Sequence, residues 1–142
     1  MLLDANLLLY AANQSSPFHM RTREWLDETL NGSEATGIPW QSLGTFLRIS
    51  TNRRAFPNPL APTAAWAQIS AWLASPSAWT PVPGPRYANL LGSLIERHQL
   101  AGDVVMDGQL AALALEHGLA VASADTDFAR FTEIEWVNPV AP

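Results

Sequence analysis

Three aspartates occupy positions from which a folded chain could bring carboxylates together. Asp4 follows two leucines near the first residue, Asp125 follows the apolar stretch 119–123, and Asp107 opens a segment with helical apolar spacing. Both apolar stretches are predicted to be strands, and ligands of open parallel sheets collect at the carboxyl ends of strands. If these two strands are neighbours, we expect the three carboxylates to converge at one edge of the sheet.

Such a cluster favours metal chemistry. Like charges in a partly buried site repel one another, and a hard divalent cation relieves the repulsion. Mg²⁺ and Mn²⁺ take carboxylate and water oxygens and can bridge to a phosphate. The chemistry expected of Asp4, Asp107 and Asp125 is therefore metal-assisted hydrolysis of a phosphodiester.

Each acid also has a purely structural interpretation. Asp107 could pair with the dipole of the helix it opens, and Asp125 could be a turn or capping residue. For Asp103, in the turn before the same helix, the structural interpretation is favoured. Asp4 is the hardest to explain structurally, because a charge ending an apolar strand is costly unless it is paired or metal-bound.

The elements that must position these acids alternate along the chain. Apolar periodicity and turn residues predict five strands, at residues 1–4, 34–38, 79–82, 119–123 and 134–137. Helices are predicted between them, at residues 6–12, 19–30, 40–50, 63–74, 85–98 and 105–117, with Thr63 as an N-cap and Gly118 as a C-cap. This alternation predicts an α/β fold with a parallel sheet covered on both faces.

Composition limits the classes of function. The 142 residues, 48% hydrophobic and 15% charged, predict one globular domain over residues 1–142. The chain has no cysteine, which excludes disulfides and thiolate zinc sites. We see no signal peptide, and prolines interrupt the longest uncharged stretch, so a cytoplasmic protein without a membrane segment is expected.

Charge adds two constraints. All eight basic residues are arginine, so a P-loop and Schiff-base catalysis, which need lysine, are excluded. The net charge of −5 argues against broad attraction to nucleic acid, although local arginines and a divalent metal can still contact phosphates.

Three motifs now carry a resemblance. The opening Leu-Asp-Ala-Asn, the block Asp-Gly-Gln-Leu-Ala-Ala-Leu-Ala at 107–114, and Ser-Ala-Asp-Thr-Asp-Phe at 123–128 resemble a PIN-domain ribonuclease of the VapC toxin type. The similarity extends over the whole chain, including residues 40–52 and 128–139. The resemblance implies a PIN-like three-layer α/β/α fold with a short, mostly parallel central sheet of four or five strands.

The same resemblance implies a function. It indicates a Mg²⁺- or Mn²⁺-dependent endoribonuclease acting on tRNA or rRNA, a homodimer, and a VapB-type antitoxin as partner. The family's acids fall on Asp4, Asp107 and Asp125, as catalytic residues and metal ligands. Asn6 and Ser123 match polar positions that orient the acids or metal-bound waters, and Asp127 is a candidate outer-shell acid.

One position departs from the family pattern. Many PIN nucleases carry a glutamate three residues before an arginine in the helix after the second strand, and here that position is Thr45, before Arg48. The site loses one negative charge, so we expect a three-aspartate site with weaker metal binding or a single metal. The alternative is a catalytically weakened PIN-fold binding module.

Four basic residues have open roles. Arg48 is expected near the acids, where it could contact the scissile phosphate, the antitoxin, or the acids themselves as an ion-pair partner. Arg53 and Arg54 form a basic loop that could follow an RNA backbone or simply be solvated. His19 opens a helix and could contact RNA or transfer a proton, although a structural role is the more common one.

A phosphotransfer enzyme is the competing class of function. An aspartate after the first strand is also the nucleophile position of haloacid-dehalogenase-like phosphatases. Those enzymes need a second acid two residues later and a lysine. Here the second position is Asn6 and no lysine exists, so the sequence argues against this class.

Overall fold

The centre of the molecule is a five-stranded sheet in which every pair of neighbours is parallel. The computed structural model describes residues 1–142. Its strands are β1 (Leu2–Leu3), β2 (Thr36–Gly37), β3 (Ala78–Trp79), β4 (Val121–Ala122) and β5 (Trp136–Val137). Their order across the sheet is β3-β2-β1-β4-β5, so the first strand lies in the middle with β4 beside it.

Six helices connect the strands. They are α1 (Ala5–Ala12), α2 (His19–Leu30), α3 (Trp40–Ser50), α4 (Pro62–Leu73), α5 (Tyr87–His98) and α6 (Val104–His117). A short 3-10 helix follows β4 at Thr126–Arg130. None of the helices has both the length and the apolar character needed to cross a membrane.

The alternation of side chains along the strands divides the core into two halves. Leu3 and Ala122 point to one face, where they pack in a buried cluster with residues of α1 to α4 such as Phe46. Leu2 and Val121 point to the other face and pack with residues of α5, α6 and the 3-10 helix. This arrangement confirms the predicted three-layer α/β/α fold with a parallel sheet.

The predicted bounds of α4 and β3 were wrong, and a proline explains each difference. The helix predicted to be capped by Thr63 begins earlier, with Ala61 as N-cap and Pro62 in its first turn, where the missing N–H costs nothing. The third strand covers Ala78–Trp79 and not residues 79–82, because Pro81 cannot donate to a ladder. The other predicted helices lie within two residues of their observed bounds.

The strand register sets up the site. Leu3 pairs with Ala122 in the ladder between β1 and β4, so Asp4 and Ser123 leave the sheet side by side at its carboxyl edge. The condition set by the sequence, that these two strands be neighbours, is met.

Candidate active site

Asp4 caps helix α1 and is held by three hydrogen bonds. Its Oδ1 accepts from the backbone N–H of Ala5 at 2.7 Å. Its Oδ2 accepts from the Ser123 hydroxyl at 2.6 Å and from the Asn6 amide at 3.0 Å. Burial raises the pKa of Asp4 above its usual value, the hydrogen bonds from Ser123 and Ala5 oppose that rise, and the charge of Asp125 adds to it.

Asn6 and Ser123 tie the start of α1 to the end of β4. The Asn6 amide also donates to the Ser123 hydroxyl oxygen at 3.0 Å, while its Oδ1 accepts from the Ala124 N–H at 3.2 Å. The Ser123 oxygen accepts in turn from the Asp125 N–H at 3.0 Å. These bonds connect Asp4 to the backbone beside Asp125, and the predicted role of Asn6 and Ser123 in orienting the acids stays a prediction.

The closest cluster of carboxylates is formed by Asp107, Asp125 and Asp127, which each offer an oxygen within 4.8 Å of the others. Asp107 lies in the first turn of α6. Asp125 is the N-cap of the 3-10 helix and accepts from the Asp127 N–H at 2.8 Å. The cluster therefore combines the start of one helix with the start of another.

The negative charges of this cluster repel one another, and the pKa of Asp107 shows the effect. Burial raises the pKa of Asp107 to about 6, and the charges of Asp125, Asp4 and Asp127 contribute in that order. The charge of Arg130 acts against them. Burial and the neighbouring carboxylates thus both disfavour the ionised form of Asp107, which indicates a site short of positive charge.

All four aspartates line one cleft of about 430 Å³ at the carboxyl edge of the sheet. The three acids predicted to be catalytic are thus brought together. The grouping differs in one respect from the prediction: Asp127, expected in an outer shell, is part of the closest cluster, whereas Asp4 lies beside it.

Helix α3 forms the opposite wall of the cleft. Gln41, Thr45 and Ile49 recur every four residues and line it together, so Thr45 stands in the cleft where the family pattern has a carboxylate. The Gln41 amide donates to the Met106 carbonyl at 2.8 Å and bridges α3 to α6. Ser42 donates to the Leu3 carbonyl at 2.7 Å and anchors the helix to β1.

Arg48 lies on the same helix as Thr45, is exposed, and is not among the residues that line the cleft. It forms no ion pair with a carboxylate in this structure. Its expected contacts with the scissile phosphate, the antitoxin or the acids stay predictions. The arginine whose charge reaches Asp107 is Arg130, which sequence reasoning did not single out.

The other predicted basic contacts lie outside the cleft. His19 bonds through its Nδ1 to the Tyr10 carbonyl at 3.0 Å and faces a different cavity between α1, α2 and α4. Arg53 and Arg54 are exposed in the loop after α3. Their proposed contacts with RNA stay predictions.

Asp103 is a cleft residue for which the sequence favoured a structural role. It lines the cleft with Asp107, and its side chain makes no capping bond to α6. The spacing of four residues between Asp103 and Asp107 is the signal that would have placed both on one side of the helix start.

The donor set fits a hard divalent cation. The cleft offers carboxylate, amide and hydroxyl oxygens, and neither histidine nor a sulfur ligand stands beside the acids apart from the thioether of Met106. Oxygen donors of this kind suit Mg²⁺ or Mn²⁺.

Comparison with known proteins identifies the family of the chain. The family model described as the PIN domain matches residues 1–134. Since the match covers nearly the whole chain, the chain belongs to the PIN-domain family.

Within that family the relatives are of one type. The chain is similar to ribonuclease VapC37 of Mycobacterium tuberculosis, at 40% identity over 140 residues, 99% of this chain and 97% of that protein. Its fold resembles that of VapC20 of Mycobacterium tuberculosis, a Sarcin-Ricin loop cleaving toxin, with a TM-score of 0.68, 15% identity, and coverage of 99% and 98%. It also resembles VapBC2 from Rickettsia felis bound to a promoter DNA fragment, with a TM-score of 0.66, 15% identity and 96% coverage of both chains.

The chain is therefore a PIN-domain protein of the VapC type. Its full-length similarity to a ribonuclease lends no support to the alternative of a non-catalytic binding module.

Proposed function

We propose that this protein is a metal-dependent endoribonuclease, the toxin of a VapBC-type toxin–antitoxin pair, which hydrolyses RNA phosphodiester bonds in the cytoplasm. The observation that carries the proposal is the cluster of Asp107, Asp125 and Asp127 within 4.8 Å, beside the hydrogen-bonded Asp4, at the carboxyl edge of a PIN-family sheet. One domain over residues 1–142 would supply the whole site.

The acids have distinct roles in this proposal. Asp4, Asp107 and Asp125 would hold Mg²⁺ or Mn²⁺, with Asp127 close enough to share that task. The bound ion would supply activation of the attacking water and neutralisation of charge on the phosphate oxygens. Asp107 must be deprotonated to act as a ligand, and its pKa of about 6 allows this near neutral pH.

The supporting residues set the geometry. Ser123 and Asn6 donate to Asp4 and keep its carboxylate aimed along the edge of the sheet. Thr45 leaves that wall of the cleft without a charge, which favours one metal position over two. Arg130 would partly offset the repulsion at Asp107 before the metal binds.

The partners follow from the same family relationship. We infer an RNA substrate, tRNA or rRNA, a VapB-type antitoxin, and a homodimer. Support for the antitoxin comes from fold similarity to a toxin–antitoxin complex, the VapBC2 structure.

The test is cleavage of a pool of structured RNAs by the purified protein. Cleavage is expected in Mg²⁺ or Mn²⁺, and chelator should abolish it. Asp4→Asn and Asp107→Asn should each lower the rate at least about 100-fold, since each removes a charged ligand. Glu24→Gln, at an exposed acid of α2, is the matched control and should cleave at the wild-type rate.

Folding of each variant is checked by its melting temperature. Cleavage that persists in chelator, or in both aspartate variants, would mean that the metal site has been assigned to the wrong residues.

A further inference from the structure

A second depression adjoins the acidic cleft. It has a volume of about 910 Å³ and is lined by Tyr10, Phe18, Arg21 and Trp136, among others. We call this depression the aromatic groove. Ala124 and Thr126 also line it, and they flank Asp125 in the chain, so the groove lies within one residue of that acid along the backbone.

One hydrogen bond fixes the groove to the catalytic edge. The indole N–H of Trp136 donates to the Ser123 carbonyl at 3.0 Å, and the Ser123 hydroxyl donates to Asp4. The indole ring is therefore held at a set position relative to the acids. A ligand group stacked on the indole ring would therefore have a fixed position relative to a group bound in the acidic cleft.

Phe18 is exposed, whereas Tyr10 and Trp136 are half-buried and leave part of their ring surfaces open to the groove. Tyr10 and Phe18 stand with their ring centroids 5.2 Å apart, at 46°. Phe18 is 40% exposed. Aromatic faces presented in this way are the surface on which single-stranded nucleic acids stack their bases.

The charge in the groove is opposite to that in the cleft. Arg21 is the only charged side chain lining the groove, is exposed, and forms no ion pair. An anionic chain with flat aromatic groups fits both features, because the guanidinium can meet a phosphate while the rings meet a base. An apolar peptide would use the rings and leave the arginine without a partner.

We propose that the aromatic groove binds one unstacked nucleobase of the RNA strand, next to the phosphodiester held at the acids. The inference rests on the proposed function, since it names a subsite for that same substrate. Phe18, Tyr10 and Trp136 provide the stacking faces, and Arg21 contacts the neighbouring phosphate.

The test is equilibrium binding with the base itself as a variable. The probe is a fluorescein-labelled single-stranded oligoribonucleotide, with one nucleobase removed at each position in turn. Binding is followed by anisotropy in Ca²⁺, which takes the same oxygen ligands as Mg²⁺. Wild type is compared with Phe18→Ala and Arg21→Gln, and with Trp66→Ala, an exposed tryptophan of α4 outside the groove, as control.

Removal of the base at one position should weaken binding by wild type about tenfold. Phe18→Ala should lose a similar factor on the intact RNA and be insensitive to removal of that same base. Arg21→Gln should weaken binding to every oligonucleotide about equally, and Trp66→Ala should behave as wild type.

If Phe18→Ala still lost RNA affinity on removal of that base, the effects of the two changes would simply add. That result would overturn this inference. An RNA affinity of Phe18→Ala equal to that of wild type would also overturn it, and would leave the aromatic groove to an occupant other than RNA. If wild type binds and cleaves RNA but Phe18→Ala and removal of the base act independently, the proposed base subsite is wrong and the proposed function stands. If it neither binds nor cleaves RNA, the proposed function fails with it.

Discussion

Asp4 and Asp107 are both buried enough to have raised pKa values, but their surroundings compensate them differently. Asp4 receives hydrogen bonds from Ala5, Asn6 and Ser123. Asp107 has no hydrogen bond that lowers its pKa and faces the charges of Asp125, Asp4 and Asp127. Asp107 is therefore the acid that gains most from a bound cation.

The stability of the metal-free protein should report this difference. Because the folded-state pKa of Asp107 lies near 6, above its ordinary 3.8, its contribution to stability is present below 3.8 and is lost as pH rises through 6. Asp107→Asn should therefore melt at a higher temperature than wild type at pH 7.5 in chelator, and the difference should shrink at pH 5. Added Mg²⁺ should raise the melting temperature of wild type and leave the variant nearly unchanged. A variant less stable than wild type at pH 7.5 would contradict this account of Asp107.

Ser123 offers a second test through the pH dependence of cleavage. Its hydroxyl lowers the pKa of Asp4, so Ser123→Ala should raise that pKa and shift the acidic limb of the profile of kcat/KM to higher pH. Ser77→Ala, which removes a hydroxyl bonded to the carbonyls of Thr29 and Leu30, should keep the wild-type profile. Equal losses at pH 6 and pH 8 would indicate a merely structural role for Ser123.

Thr45 allows the missing charge to be restored. Thr45→Glu places a carboxylate on the α3 wall of the cleft and should tighten Mn²⁺ binding on the order of tenfold, measured by calorimetry. The same change should lower the melting temperature in chelator, because a further negative charge joins the acids. Gly44→Glu, on an exposed neighbouring position outside the cleft, is the control. Unchanged Mn²⁺ affinity would show that this wall does not reach the metal.

At the scale of residues, the sequence was informative where burial makes a charge costly. Asp4 could be found because an acid ending an apolar strand demands a partner, and Asp107 and Asp125 because helix starts and strand ends meet at one edge. Trp136 and Arg130 could not be found in this way. Their proximity to the site depends on how the chain after β4 folds back, which no local pattern encodes.

Helix α6 carries Asp107, and the adjacent glycine sets how closely it packs. A Cβ on Gly108 would lie 2.5 Å from Leu100, a buried residue between α5 and α6. The contacting atom is the Cδ1 at the end of the Leu100 side chain, which must move to admit alanine, so Gly108→Ala should be less stable than Gly92→Ala by about 1–3 kcal/mol. Moving the start of α6 should also weaken metal binding, since Asp107 moves with it.

Gly92→Ala is the matched control for that prediction. Gly92 lies in the interior of α5 with open space around its Cβ position, so alanine there should stabilise the fold by up to about 1 kcal/mol through helix propensity. Chemical denaturation of both variants gives the comparison. Equal effects of the two substitutions would mean that packing at Leu100 does not govern the position of α6.

The elements themselves were predictable to different degrees. Helices such as Trp40–Ser50 were found to the residue, because Pro39 and a periodic apolar face mark their bounds. The strands are only two residues long, shorter than predicted, and at β1 the reason is that Asp4 already caps the following helix α1. The order of strands followed from no local signal and depends on packing of helices against both faces of the sheet.

At the scale of the whole molecule, negative charge is concentrated in the cleft where we propose that the anionic RNA binds. The net charge is −5, and five aspartates line one cleft. The positive charges proposed to meet RNA, on Arg21, Arg53 and Arg54, are exposed and few. If the proposed function is right, attraction to RNA should come largely from the metal.

This distribution predicts an unusual salt and metal dependence of RNA binding. With three arginine contacts to a single strand, the slope of log K against log salt should be about −2, shallower than that of strongly basic proteins. Chelator should reduce affinity more than a rise in salt does, because it exposes the phosphate to the bare carboxylates of Asp107, Asp125 and Asp127. Anisotropy titrations from low to high salt, in Ca²⁺ and in chelator, measure both effects. Asp107→Asn should narrow the gap between the two conditions, since it removes one repelling charge and one metal ligand together. Binding that is equally strong in chelator would show that arginines, and not the metal at the acids, hold the RNA.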